Sequence, residues 1–254
     1  MVLAVQSEPL EGRVYGFAIH RSKGKDLFGT GTETIAEVAT DGSPEALQAL
    51  RRSLVRELIR ILRTVDEHNR THDEWRDQKT LQAYVFDSYE QELLVQTLAE
   101  AVLDPDVAED ALALLFHFQH PELALADDHP AREVFFPLVV LTTVIRSLLA
   151  MPIPVVYRFA DVVDALAPTD HAFRYEASDF FSFALSNRVK SNAIFEIWER
   201  GRDDLVPNLE GELKRRVWAA NSVIAGLRER LAGSGALFEP LTCMRGPVVA
   251  GFAS

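Results

Sequence analysis

Six carboxylates near expected strand and helix ends, Glu8, Glu11, Asp87, Glu90, Asp161 and Asp164, have the chemistry to hold Mg2+ or Mn2+ if at least three of them converge. Glu8, Asp87, Glu90 and Asp161 are the core of such a set. Two divalent cations so held would clamp the attacking and leaving oxygens of a phosphodiester. His68 and His72, four residues apart among Asp66, Glu67, Asp73 and Glu74, could share a helix face and bind a metal. No glutamate directly follows His68, so the metalloprotease pattern is absent, and a fraying helix end accounts for the same residues. His117 and His120 lack a third partner nearby in sequence. Cys243 is the single cysteine, which excludes an intramolecular disulfide and a cysteine-based zinc cluster. Gly24, Gly29 and Gly31 form neither a dinucleotide fingerprint nor a phosphate loop. Arg52, Arg56, Arg60 and Arg63 lie along one side of an expected helix and could meet a phosphate backbone. An ordinary solvated face explains them equally.

These residues need elements to position them. Val2–Val5, Val14–Ile19 and Thr32–Thr40 read as short strands joined by tight turns, an antiparallel meander. Ser43-Pro44-Glu45 then starts a helix: Ser43 is an N-cap and Pro44 suits the first helical position. Leu47, Leu50, Leu54, Leu58, Ile61, Leu62 and Val65 give it one apolar side. Leu81–Phe86 is a strand, and Asp87-Ser88 caps a helix carrying Leu93, Leu94, Val95 and Leu98. A short helix spans Val107–Phe118. A buried strand spans Val134–Leu141, and Thr143–Ala150 is helical. Met151–Pro154 is extended, because proline restricts itself and its predecessor. Arg158–Leu166, Ser178–Arg200 and Leu209–Leu231 complete the helices. Phe173, Tyr175, Phe180, Phe181 and Phe183 have spacings that suit core packing rather than an exposed stacking surface. The expected fold is α/β, one domain over 1–232 with an irregular tail, 233–254.

The 254 residues carry 26 basic and 38 acidic side chains, a net charge of −12. That balance argues against coating nucleic acid or an anionic membrane through the overall field. Between Lys79 and Arg132 there is no basic residue but His117, His120 and His129, and eleven Asp and Glu fall in 81–130. This acidic block could serve an adaptor that docks a basic partner, although solvated surface is the commoner use of such runs. No signal peptide is evident and no apolar run is long enough to span a bilayer, so a cytoplasmic setting without membrane partners is expected.

Several strings resemble the RNase H-like exonuclease domain of bacterial RecB-family nuclease–helicase proteins. Leu3-Ala4-Val5-Gln6-Ser7-Glu8-Pro9 running into Gly12-Arg13-Val14-Tyr15 is similar to that family's first-strand segment. Ala83-Tyr84-Val85-Phe86-Asp87-Ser88-Tyr89-Glu90 is similar to its strand ending in Tyr-Glu. The stretch from Phe136 through Val144-Ile145-Arg146 to Pro152, Val155 and Tyr157 matches a later passage, and Glu212–Leu231 matches its last helix. The resemblance implies a mixed sheet, three antiparallel strands plus parallel ones, flanked by helices and helix-rich toward the C-terminus. It also implies where metal-holding acids would stand. Ala4 and Gln6 occupy the first-strand acid positions, Val140 and Arg216 two later ones, and only Glu90 retains an acid. The expectation is therefore a catalytically inactive module without a metal or other cofactor, in which Arg216 pairs with Glu90 where active relatives bind cations. Its expected partners are DNA or RNA through a local patch, and helicase and nuclease domains of the same longer polypeptide. An active nuclease with relocated carboxylates, using Mg2+ or Mn2+, is the rival expectation.

Overall fold

The computed structural model describes residues 1–22, 31–72, 74, 77–118, 137–149, 158–166 and 192–233. Its first strand, β1 (Val2–Ser7), is buried at all six positions. The sequence explains this: Val2 and Ala4 enter one apolar cluster, while Leu3 and Val5 enter another. A strand apolar on both sides belongs in the middle of a sheet covered on both faces. β1 pairs antiparallel with β2 (Val14–Arg21), Ala4 opposite Ala18. β2 pairs antiparallel with β3 (Glu33–Val38), Ala18 opposite Ala36. On its other side β1 meets β4 (Ala83–Val85) in parallel, and β4 meets β5 (Leu138–Val140) in parallel. The strand order is β3-β2-β1-β4-β5. The expected mixed sheet of a three-strand meander plus parallel strands is present.

Each parallel neighbour needs a helical crossover, and the helices supply it. α1 (Pro44–Arg70) begins where expected: the Ser43 side chain accepts the Ala46 N–H at 3.2 Å. Its buried row includes Leu47, Leu50, Leu54, Leu58 and Ile61. α2 (Ser88–Ala101) and α3 (Ala108–Phe118) pack beside it, so these three helices cover the Leu3/Val5 face. α4 (Leu141–Leu148), α5 (Phe159–Leu166), α6 (Asn192–Arg200) and α7 (Val206–Gly233) cover the Val2/Ala4 face.

α7 starts three residues before the expected Leu209. A single 3₁₀ turn, Asp203–Leu205, leads into it, and Pro207 falls in the first turn, where its missing N–H costs nothing. Leu209, Leu213, Val217, Ala220 and Ile224 press α7 onto the sheet. The approach is close. A Cβ at Gly16 of β2 would lie 3.0 Å from Leu213 Cδ1 and 3.0 Å from the Glu37 carbonyl, so glycine is what lets α7 cross here. Among the described residues, no helix is long and apolar enough to cross a membrane.

Candidate functional site

Ligands of open α/β sheets gather beyond the carboxyl ends of parallel strands. At that edge of β1 and β4 the structure gathers Gln6, Glu90 and Arg216. Strand alternation turns Gln6 to the face shared by Val2 and Ala4, where its Nε2 donates to Glu90 Oε1 at 2.6 Å. Glu90 stands in the first turn of α2. Asp87 caps this helix by accepting the Glu90 N–H at 2.9 Å, and Glu90 Oε2 accepts the Phe86 N–H at 3.0 Å. This is a capping box whose glutamate reaches one residue further back than usual. Arg216 arrives from α7. Its Nε donates to Glu90 Oε1 at 2.8 Å, and its Nη2 lies 2.8 Å from the same oxygen. Beside them Ser7 and Tyr89 share a hydroxyl–hydroxyl bond of 2.6 Å.

Arg216 and Glu90 are each only 2% exposed. Phe159 of α5 lies under the guanidinium at 4.3 Å from its ring centroid, and Phe86 stands at 5.7 Å. The two rings meet edge to face, 4.7 Å apart. The arginine is thus held by a carboxylate on one side and aromatic faces on the other. Burial pushes the Glu90 carboxyl above its ordinary range and the Asp87 charge adds to this, while Arg216 pulls the other way. Ala4, Phe86, Glu90, Phe159, Arg216 and Ala220 line the crevice, which has no space for a water-sized sphere. Glu90 Oε1 accepts from both Gln6 and Arg216, and Oε2 accepts the Phe86 N–H, so both oxygens of the carboxylate are engaged.

Val140 does not belong to this group. It packs with the α1–α3 cluster, whereas Ala4 packs with the α4–α7 cluster. Val139, in register with Tyr84, and the buried Leu141 point to the face where Ala4 and Gln6 lie. A one-residue slip on a strand moves a side chain to the opposite face. Val140 therefore stands on the opposite face of the sheet from Ala4, Gln6, Glu90 and Arg216.

The other carboxylates each have local work. Glu8 is fully buried and accepts the N–H groups of Leu10, Glu11 and Arg13 at 2.7, 2.9 and 3.0 Å. Burial alone would raise its pKa, but these donors and the Arg13 charge bring it below the ordinary value. Glu11 lies 3.0 Å from Arg13, and Asp161 takes two hydrogen bonds from Arg158 at 2.6 and 3.0 Å. Asp164 is exposed on α5. Among the described residues, no three His, Cys, Asp or Glu side chains are grouped to hold a metal ion.

The arginine row and the acidic block meet each other. Arg52 binds Asp104 and lies 3.1 Å from Asp106; Arg63 lies 3.3 Å from Asp110, and Arg51, outside the row, 3.1 Å from Glu100. Arg60 pairs with Glu57 at 2.8 Å and Glu33 at 2.9 Å. Of the row, Arg56 is exposed without an ion pair among the described residues. The expected phosphate-binding face is thus largely neutralised within the chain.

His68 and His72 stack with centroids 3.9 Å apart at the end of α1, and both rings hydrogen-bond backbone carbonyls, of Asp77 at 3.0 Å and His68 at 2.7 Å. His117, at the end of α3, is held below its ordinary pKa by burial. Gly31 has φ +102°, serving the turn into β3. His120, Cys243, Gly24, Gly29, the 151–157 segment, the aromatics of 173–183 and the tail after 233 lie outside the described residues.

Sequence reasoning passed over two polar arrangements. His20 Nδ1 and Trp218 Nε1 both bond the Thr34 hydroxyl, at 2.7 and 3.1 Å. A lone histidine closing the apolar run of β2 was the available signal. Trp198 of α6 carries the Arg13 guanidinium 5.0 Å above its ring and donates to the Ala39 carbonyl at 3.0 Å. Neither family models, nor curated proteins, nor solved structures give a match to this chain.

Proposed function

We propose that the chain is an RNase H-like module that has lost its metal chemistry and serves a nuclease–helicase type protein by guiding nucleic acid or docking a neighbouring domain. One observation carries the reading: a buried arginine, Arg216, is paired at 2.8 Å with Glu90 at the carboxyl edge of the central strand. A cation at this position repels Mg2+, and Ala4 offers no ligand atom. The strand order β3-β2-β1-β4-β5, antiparallel on one side of β1 and parallel on the other, supports the RNase H-like assignment. Fold alone does not assign function, so the occupant of the edge is the stronger support.

The test is incubation of the purified chain with labelled single- and double-stranded DNA and RNA in Mg2+ or Mn2+. No cleavage is expected. Cleavage that disappears in Glu90→Ala would overturn the proposal in favour of the relocated-carboxylate nuclease. Weak, salt-sensitive retention of nucleic acid without cleavage would favour guidance over domain docking.

A further inference from the structure

A cleft of about 350 Å³ opens between the β1–β2 turn, the loop before α1, and α6. That volume falls in the range of small-molecule sites. Its walls include Arg13, Asp41, Ser43, Phe195, Trp198 and Glu199. It is separate from the Arg216–Glu90 crevice and takes no part in the function proposed above.

Charge and shape together select its occupant. Arg13 is already neutralised: its Nε lies 3.0 Å from Glu11 and 3.6 Å from the buried Glu8. Asp41 is exposed, and the Ser43 hydroxyl and N–H keep its carboxyl below the ordinary range, the N–H bond being 2.8 Å. Glu199 is exposed on the last turn of α6. Asp41, which keeps its charge while accepting from Ser43, Glu199 and the half-buried Phe195 ring thus line the cleft. An anion would meet both carboxylates, whereas a cation is favoured by each of these groups. One wall already holds such a cation, since the Arg13 guanidinium sits over Trp198 with Glu8 and Glu11 as counter-ions. The wall is also built tightly: a Cβ at Gly42 would stand 3.0 Å from Trp198 Cε3, so the loop lies directly against the indole.

We propose that this cleft binds an alkylguanidinium, with Asp41 and Glu199 as counter-ions and Phe195 as the apolar wall. The guanidinium could belong to a free small molecule or to an arginine side chain of a peptide, and the chemistry is shared. Isothermal titration of the full chain with agmatine, and separately with a glycine-flanked arginine pentapeptide, tests it. Saturable binding is expected for at least one probe. Losing one charge-assisted hydrogen bond in Asp41→Asn or Glu199→Gln should weaken it about three- to tenfold. Tighter binding of the pentapeptide assigns the site to a protein partner, and tighter binding of agmatine to a free cation. No saturation with either probe, equal affinity in both variants, or competition by inorganic phosphate would overturn the proposal. Glu199→Gln is a surface change, so its result does not depend on the α1 cap that Asp41 supports.

Discussion

Arg52 and Asp104 meet as a two-pronged ion pair across the α1–α2 corner, Nε to Oδ2 and Nη2 to Oδ1, the latter at 3.0 Å. Gln48 adds a third donor to Asp104 at 2.9 Å, and the Asp106 N–H a fourth at 3.1 Å. The arginine-rich part of the sequence thus finds its partners in the acidic part that follows it.

Acid titration will report this pair. Hydrogen bonding from Arg52 holds the Asp104 carboxyl at about 2, below its ordinary 3.8. A depressed folded-state pKa contributes stability that is complete above pH about 4 and fades as pH falls through about 2. Urea unfolding of Asp104→Asn should therefore show a shallower loss of stability over that interval than the parent. Equal slopes would mean that the pair is not formed in solution.

Releasing the arginines should turn the α1 row into a phosphate-binding face. In Asp104→Asn with Asp110→Asn, Arg52 and Arg63 lose carboxylate partners. Affinity for duplex DNA should rise, and the slope of log K against log salt should steepen by up to about 2. Gel-shift titrations at several salt concentrations measure both quantities.

The Arg216–Glu90 pair should be costly to break and cheap to replace. Arg216→Ala or Glu90→Ala alone strands a buried charge and should cost about 3–5 kcal/mol in chemical denaturation. Gln6→Leu, Glu90→Leu and Arg216→Met together should return to within about 2 kcal/mol of the parent, because neither charge of the pair is then left buried without the other.

If the crevice is a former metal site, EDTA or millimolar Mg2+ should leave Tm unchanged in the parent. Ala4→Asp, Gln6→Glu and Arg216→Asp together crowd acids around Glu90, and Tm of that variant should rise when Mg2+ is added. Differential scanning fluorimetry with Ca2+ and Na+ as controls separates specific binding from screening.

Gly16→Ala tests the seat of α7. The added methyl would meet Leu213 and the Glu37 carbonyl, so about 1–3 kcal/mol of destabilisation is expected by urea titration.

The sequence made local structure readable where the pattern changes: from the alternation of Thr32–Thr40 to apolar steps of three and four from Leu47 to Ile61. It also pointed to Arg216, because that residue borders the apolar row of α7 and so had to face the sheet. The face on which Val140 lies was not readable, because a three-residue strand gives too little alternation to fix its own register; the pairing of Val139 with Tyr84 sets it. The neutralised arginines were not readable either. A row of charges looks the same whether water or another helix lies opposite, and the packing of α1 on α2 and α3 decides which. Arg13 and Trp198 were missed for a related reason, being distant in sequence and joined only where α6 docks.

The placement of α7 also bears on how the polypeptide is made. Tyr15 and Ala18 on one side of the sheet are covered by residues as late as Val217 and Leu227. At about 5–20 residues per second, some 10–40 s of translation separates Tyr15 from Leu227. For that interval the layer built from α1, α2 and α3 can close, while the opposite surface of β1 and β2 still lacks the helix that crosses it. The topology therefore makes closing this half of the core one of the late events of synthesis rather than an early one.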